Sequence, residues 1–125
     1  MTISFEVSTT NYEEEKVSMI KALSHLQTLC ETPDAYKIGP PVSKFGWTFF
    51  PLWLKPSLTA KIEEKFSDMI NKYKGKDDEK FTNFMADYFN SRDCKIILSR
   101  YNILYFVFVL RIYISKNIYF SGATK

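Results

Sequence analysis

His25 is the only histidine of the chain, and on a helix it falls in line with Glu14, Ser18, Lys21 and Thr28. A histidine beside an acid or a hydroxyl is the arrangement of a general base. The same polar stripe, lying opposite a row of leucines, is also an ordinary solvated helix face, and that reading is preferred. No glycine-flanked serine and no cysteine motif supplies a nucleophile, so no catalytic residue is assigned. Cys30, Cys94 and His25 fall short of the four soft ligands of a structural zinc site. Asp77-Asp78-Glu79 lacks the alternate acids and central glycine of a calcium loop. These three acids read instead as first-turn charges at the positive end of a helix dipole. Neither a metal nor a cofactor is expected.

Binding chemistry is the stronger signal. Lys72, Lys74, Lys76 and Lys80 form a basic patch, and phosphate contact needs only positive charge within reach. Asp77, Asp78 and Glu79 share that turn and cancel much of its field, so a solvated turn is the competing reading. A second cluster runs from Trp47 to Trp53 with Phe49 and Phe50, flanked by Lys44 and Lys55. Packed inward, these aromatics are core. Turned outward on a proline-rich segment, they form a protein-binding patch, because Trp and Tyr dominate interface energetics. Phe81, Phe84 and Tyr88 pose the same choice.

The chain has 125 residues, the size of one domain, so residues 1–125 are taken as a single unit. Eleven Phe, eight Tyr and two Trp are an unusual aromatic load. With 46% apolar residues, the chain is too hydrophobic to be disordered throughout. Two lone cysteines make no disulfide framework, which points to a reducing, intracellular compartment such as the cytoplasm. The net charge of +3 conceals a split. Residues 94–125 carry Lys95, Arg100, Arg111, Lys116 and Lys125 and no acid, whereas acids slightly outnumber bases before them. Those five cations are embedded among Ile, Leu, Phe, Val and Tyr, which is not the composition of a cationic tail.

The elements that must carry these groups follow from periodicity. Ile3, Phe5 and Val7 alternate with polar neighbours, which suits a short strand or an extended arm over 1–10. Asn11 followed by Glu14 is a helix-start signature, and Val17, Ile20, Leu23, Leu26 and Cys30 keep a helical spacing. A helix over 11–31 is expected, ended by Pro33. Prolines at 40, 41, 51 and 56 argue against a long regular element, so 32–56 reads as an aromatic connector lying across a helical face. Ser57 caps a helix through Leu58, Ile62, Phe66, Ile70 and Tyr73, and Gly75 ends it. A further helix carries Phe81, Phe84, Met85, Tyr88 and Phe89, completing a helical hairpin over 57–90.

The apolar run over 95–120 is rich in aromatic and β-branched residues, as strands are, yet long enough for a helix. Residues 101–120 have the length of a membrane span, but Arg111 and Lys116 interrupt them, so a buried core element is preferred over membrane insertion. The start, MTISFEVSTTNYEEE, has an acidic flank and no apolar core, unlike a secretory signal.

Gly46-Trp47 through Pro51, a helix, an acidic turn, and then Phe81-Thr82-Asn83-Phe84-Met85-Ala86-Asp87-Tyr88-Phe89 together form a pattern. It resembles the N-terminal helical region of bacterial proteins associated with abortive infection and phage defence. In those proteins a Gly-Trp segment precedes a helix and a second helix with a Phe…Tyr-Phe pattern. Arg100, Ile103-Leu104, Tyr113 and Tyr119 match a later helical stretch, so the resemblance covers about residues 45–120. The chain stops where such proteins continue and lacks an Arg-x4-His ribonuclease motif, so no catalysis is carried over. The resemblance implies a mainly helical fold and a role in phage–host conflict.

The expected architecture is therefore a mainly α, single-domain helical bundle with an aromatic, proline-rich connector. Its alternative is an α+β fold with a C-terminal β-hairpin about Ser115-Lys116-Asn117. The expected function is non-catalytic binding of another macromolecule by occlusion or complex assembly, with a protein as the partner. Lys44, Trp47, Phe49, Trp53 and Lys55 are the contact residues, and Lys72, Lys74, Lys76 and Lys80 the basic patch. A nucleic-acid-binding module and a membrane-associated protein using 101–120 are the alternatives.

Overall fold

Ile3, Phe5 and Val7 alternate with Ser4, Glu6 and Ser8, and in the computed structural model, which describes residues 3–100, they form a strand, β1 (Ile3–Thr9). The helix α1 (Tyr12–Cys30) follows and is closed by Glu31 in a left-handed conformation. Short strands β2 (Tyr36–Ile38) and β3 (Val42–Lys44) lead into the long strand β4 (Trp47–Leu54). Next come α2 (Pro56–Lys65), the single turn α3 (Ser67–Ile70), α4 (Asp77–Ser91) and the strand β5 (Ile97–Arg100).

The five strands make one antiparallel sheet in the order β2-β4-β1-β5, with β3 also paired to β4. The expected helical bundle is thereby corrected to an α+β fold. The segment over 32–56, expected as a connector, supplies three of the five strands, and the expected N-terminal arm is a central one. The C-terminal hairpin about Ser115 and the membrane-spanning possibility over 101–120 lie outside the described residues. The remainder of the 95–120 element that is described begins as a strand, β5.

Pro51 lies within β4, where a proline normally argues against a central strand, and the pairing accommodates it. Along β4, Gly39 donates its N–H to the Pro51 carbonyl at 2.9 Å. The N and O of one residue in an antiparallel strand face the same neighbour, so the donor-less nitrogen of Pro51 also faces that edge. Its pairing to β1 opposite Glu6 therefore loses no hydrogen bond. The edge itself is irregular. Tyr36–Ile38 pairs with Leu54–Leu52 and Val42–Lys44 with Phe49–Trp47, so three residues, 39–41, oppose only two on β4. This bulge, holding Pro40 and Pro41, breaks what would otherwise be one edge strand.

One face of the sheet is the core. Phe5, Val7, Phe50, Leu52 and Leu54 are buried there with Leu23 and Leu26 of α1, Leu58 and Ile62 of α2, and Phe81, Phe84, Met85 and Phe89 of α4. Ring contacts fix the layering: Phe5 stacks on Phe81, and Tyr12 meets Phe50 edge-on. Each of these fully buried side chains contributes roughly 1.5–3 kcal/mol of transfer free energy.

The helices also depart from expectation in detail. The buried stripe of α1 is Glu15, Met19, Ala22, Leu23, Leu26 and Cys30, whereas Val17, Ile20 and Leu29 are exposed. Ser57 does not cap α2, since Lys55 holds the cap position and Pro56 the first turn, where its missing N–H is harmless. The single helix expected over 57–73 breaks at Phe66 into α2 and α3. Gly75 does take a left-handed φ of 105°, and α4 does open with Asp77, Asp78 and Glu79.

Candidate partner-binding face

Strand alternation sends Trp47, Phe49, Pro51 and Trp53 to the side of β4 opposite Phe50, Leu52 and Leu54. Register then places their neighbours on this outer face. Lys37 stands opposite Trp53, Val42 opposite Phe49, and Lys44 opposite Trp47. On β1 the same face presents Ser4, Glu6 and Ser8, and on β5 it presents Ile97 and Ser99. The core elements α1, α2 and α4 pack on the other side. Phe49 and Trp53 are half-buried and Trp47 is 37% exposed, so the aromatics are partly turned outward rather than lost in the core.

The β3–β4 hairpin carries the outermost part of this face. Its two-residue loop is Phe45-Gly46, with φ of 54° and 78°, the two positive angles of a type I′ turn. That turn matches the right-handed twist of the flanking strands and favours Asn-Gly. Gly46 adopts it without strain, and open space surrounds it. A phenylalanine at positive φ is an outlier, and Phe45 is also 72% exposed. Val42, 50% exposed, lies beside it on β3. Ser43 and Thr48 hydroxyls, 3.0 Å apart, tie the hairpin on its opposite side.

Trp53 is held at the other end of the strand. Its ring lies against Gly39, where a Cβ would stand 2.8 and 2.9 Å from ring carbons. The Lys37 ammonium sits 5.7 Å from the ring centroid, a cation–π distance.

At the centre of the face is Glu6, flanked by Pro51 on β4 and Ser99 on β5. It is only 8% exposed, and burial pushes its carboxyl above the usual 4.5. Arg100 does not neutralise it. Pairing with Phe5 puts Arg100 on the core face, where its guanidinium lies over the Phe5 ring.

The remaining residues singled out from the sequence lie elsewhere. Lys55 is exposed at the corner between β4 and α2. Lys72, Lys74 and Lys76 are exposed in the loop between α3 and α4, with Lys80 half-buried on α4, so the basic patch is on the helical layer and apart from the aromatics. His25 is half-buried on α1, also in the helical layer. Of the expected contact residues, Lys44, Trp47, Phe49 and Trp53 share one face. Phe45, Lys37, Glu6 and Ile97 join them and were not anticipated. The alternation around Glu6 was visible in the sequence, but it has meaning only once Ile3–Thr9 is a central strand.

Among the described residues no three His, Cys, Asp or Glu side chains converge to hold a metal ion. None of the described helices is long and apolar enough to cross a membrane. Comparison of the chain with family models, with curated proteins and with solved structures gives no match.

Proposed function

We propose that the chain is a non-catalytic binding module that docks another protein on the outer face of its sheet, with the β3–β4 hairpin as the leading contact. One observation carries the reading: an exposed Phe45 is kept at positive φ, where Asn or Gly would relieve the strain. Strain retained at a surface position is a pointer to function. Trp47, Phe49 and Trp53 extend that contact along β4, and the exposed Lys37 beside Trp53 supplies a cation of the kind that orients a partner. The partner's assembly is blocked or completed by occupation of this face. The reading rests on this surface and not on the phage-defence resemblance, whose implied helical fold does not hold.

The test is capture of native complexes by the tagged chain and by its Phe45→Asn and Trp47→Ala variants, both folded by circular dichroism. A protein retained by the unaltered chain and lost with both variants supports the reading. Equal retention by all three removes it.

A further inference from the structure

Trp53 belongs to the docking face, but β4 alone does not fix where its ring goes. Register sets Lys37 opposite Trp53 and Ile38 opposite Leu52, and Gly39 donates to the Pro51 carbonyl at 2.9 Å. Alternation therefore puts Lys37 and Gly39 on the outer side and Ile38 on the core side. The indole fills the place where a Gly39 side chain would stand. A Cβ there would lie 2.8 and 2.9 Å from two carbons of the six-membered ring and would overlap the Pro51 ring. These distances are well inside the roughly 3.5–4.0 Å at which carbon atoms pack. The indole thus leans from β4 onto the edge beside β2. Gly39 is buried as a result, although Lys37 before it and Pro40 after it are exposed.

The backbone does not require a glycine at this position. Gly46 and Gly75 take a positive φ, whereas Gly39 does not, so alanine could adopt its conformation. What alanine would remove is the space, and a glycine beside a bulge often marks such a close approach. The Lys37 ammonium, 5.7 Å from the ring centroid, gives the indole a second neighbour on the same edge. A side chain that is free to swing loses that freedom on binding, at a cost of about 0.5–1.5 kcal/mol. A ring already seated by folding does not bear this cost again. Resting on the protein-docking reading above, we infer that Gly39 is a positioning residue of the face, whose missing side chain seats the Trp53 indole in the orientation that the partner meets. Gly39 acts through Trp53 and makes no partner contact of its own.

The test uses the full chain with Gly39→Ala, Trp53→Phe, Trp53→Ala and the Gly39→Ala/Trp53→Phe pair. Trp47 and Trp53 are the two tryptophans of the chain, so NMR resolves one indole N–H signal for each. Gly39→Ala is expected to move the Trp53 signal while the Trp47 signal and the core methyl signals of Leu52 and Leu54 stay in place. Partner capture is expected to fall about tenfold. A phenyl ring lacks the carbons that Gly39 accommodates, so adding Gly39→Ala to Trp53→Phe should lower capture by less than about twofold. An unmoved Trp53 signal overturns the proposal. So does an equal loss in both backgrounds, because Gly39 then acts through Pro51 or the backbone. Undiminished capture by Trp53→Ala overturns it too, and decides the matter even where Gly39→Ala does not fold. Capture lost with Phe45→Asn but kept by Gly39→Ala overturns the positioning role and leaves the docking face standing. Equal capture by the unaltered chain, Phe45→Asn and Trp47→Ala removes the docking reading and the positioning role with it.

Discussion

The Lys95 backbone N–H donates to the Glu15 carboxylate at 2.5 Å, joining the first turn of α1 to the segment that feeds β5. The same residue accepts through its backbone carbonyl from the Cys94 thiol, 3.7 Å away. Glu15 is 8% exposed, so this acid serves as an anchor for the chain leaving α4 rather than as a solvated dipole charge. Glu15→Ala leaves the Lys95 N–H without its acceptor, at a cost of about 1–3 kcal/mol. Glu15→Gln keeps an acceptor oxygen and is expected to lose less. Urea midpoints of the two variants at constant slope check the order.

The two faces of β4 predict opposite responses to truncation. Leu52 is fully buried against the helices, so Leu52→Ala should cost about 2–5 kcal/mol through lost burial and a residual cavity. Trp47, five residues earlier and on the outer face, is 37% exposed, and Trp47→Ala should cost about 1 kcal/mol or less. Thermal or urea unfolding of the pair decides this. A larger loss for Trp47 would mean that the aromatics form a second core instead of a free face.

Helices were legible where the apolar spacing was uninterrupted. Leu23, Leu26 and Cys30 on α1 and Phe81, Phe84, Met85 and Phe89 on α4 sit where a helical period puts them. Strand β4 was not legible, because Pro51 and the aromatic run masked a period-two pattern in which only Phe50, Leu52 and Leu54 point inward. Proline argues against a central strand only if its nitrogen faces a partner that needs the donor, and at Pro51 it faces the bulge at 39–41. Local sequence does not reveal that orientation, since it depends on which strands pair. The same limit hid half of the candidate face. Trp47, Phe49 and Trp53 stood out by type, whereas Glu6 acquires its setting from Pro51 and Ser99, residues 45 and 93 positions away.

The cysteine thiols should be silent in the folded protein. Burial, reinforced by Glu15, pushes Cys94 from 9 up to about 12, and burial also raises Cys30. The thiolate is the reactive form, so neither thiol should react with a disulfide reagent under native, mildly alkaline conditions. Both should react once the chain is unfolded in guanidinium chloride. For Cys94 the folded pKa is the raised one. Its contribution to stability is therefore intact below pH 9 and declines as pH climbs from 9 towards 12. Rapid labelling of either thiol without denaturant would contradict the burial seen at both sites.

Glu6 sets a pH dependence of the same sign in the acid range. Its folded carboxyl titrates above the 4.5 of the unfolded chain because burial disfavours the charge. Between those two values the native state binds more protons, so the contribution of Glu6 is greatest below 4.5 and is lost as pH rises through the folded pKa. Glu6→Gln removes that loss. The difference in stability between Glu6→Gln and the unaltered chain, followed by urea unfolding from acid to neutral pH, should grow in favour of the variant as pH rises. A difference that stays flat across this range would show a carboxyl in ordinary contact with water.

Phe45 allows stability and binding to be separated at one position. A left-handed conformation costs an ordinary residue roughly 1–2 kcal/mol, and asparagine before glycine suits a type I′ turn. Phe45→Asn should therefore raise stability by about 1 kcal/mol if the phenylalanine contributes little to folding, while partner capture falls. The two readouts move in opposite directions only if the side chain is retained for contact at the expense of the turn. Should the variant unfold at lower urea, Phe45 is packed within the chain, and its conformation is held by folding instead of by a partner. Should stability rise with capture unchanged, the hairpin tip is not the leading contact, and docking must centre on the β4 aromatics Phe49 and Trp53.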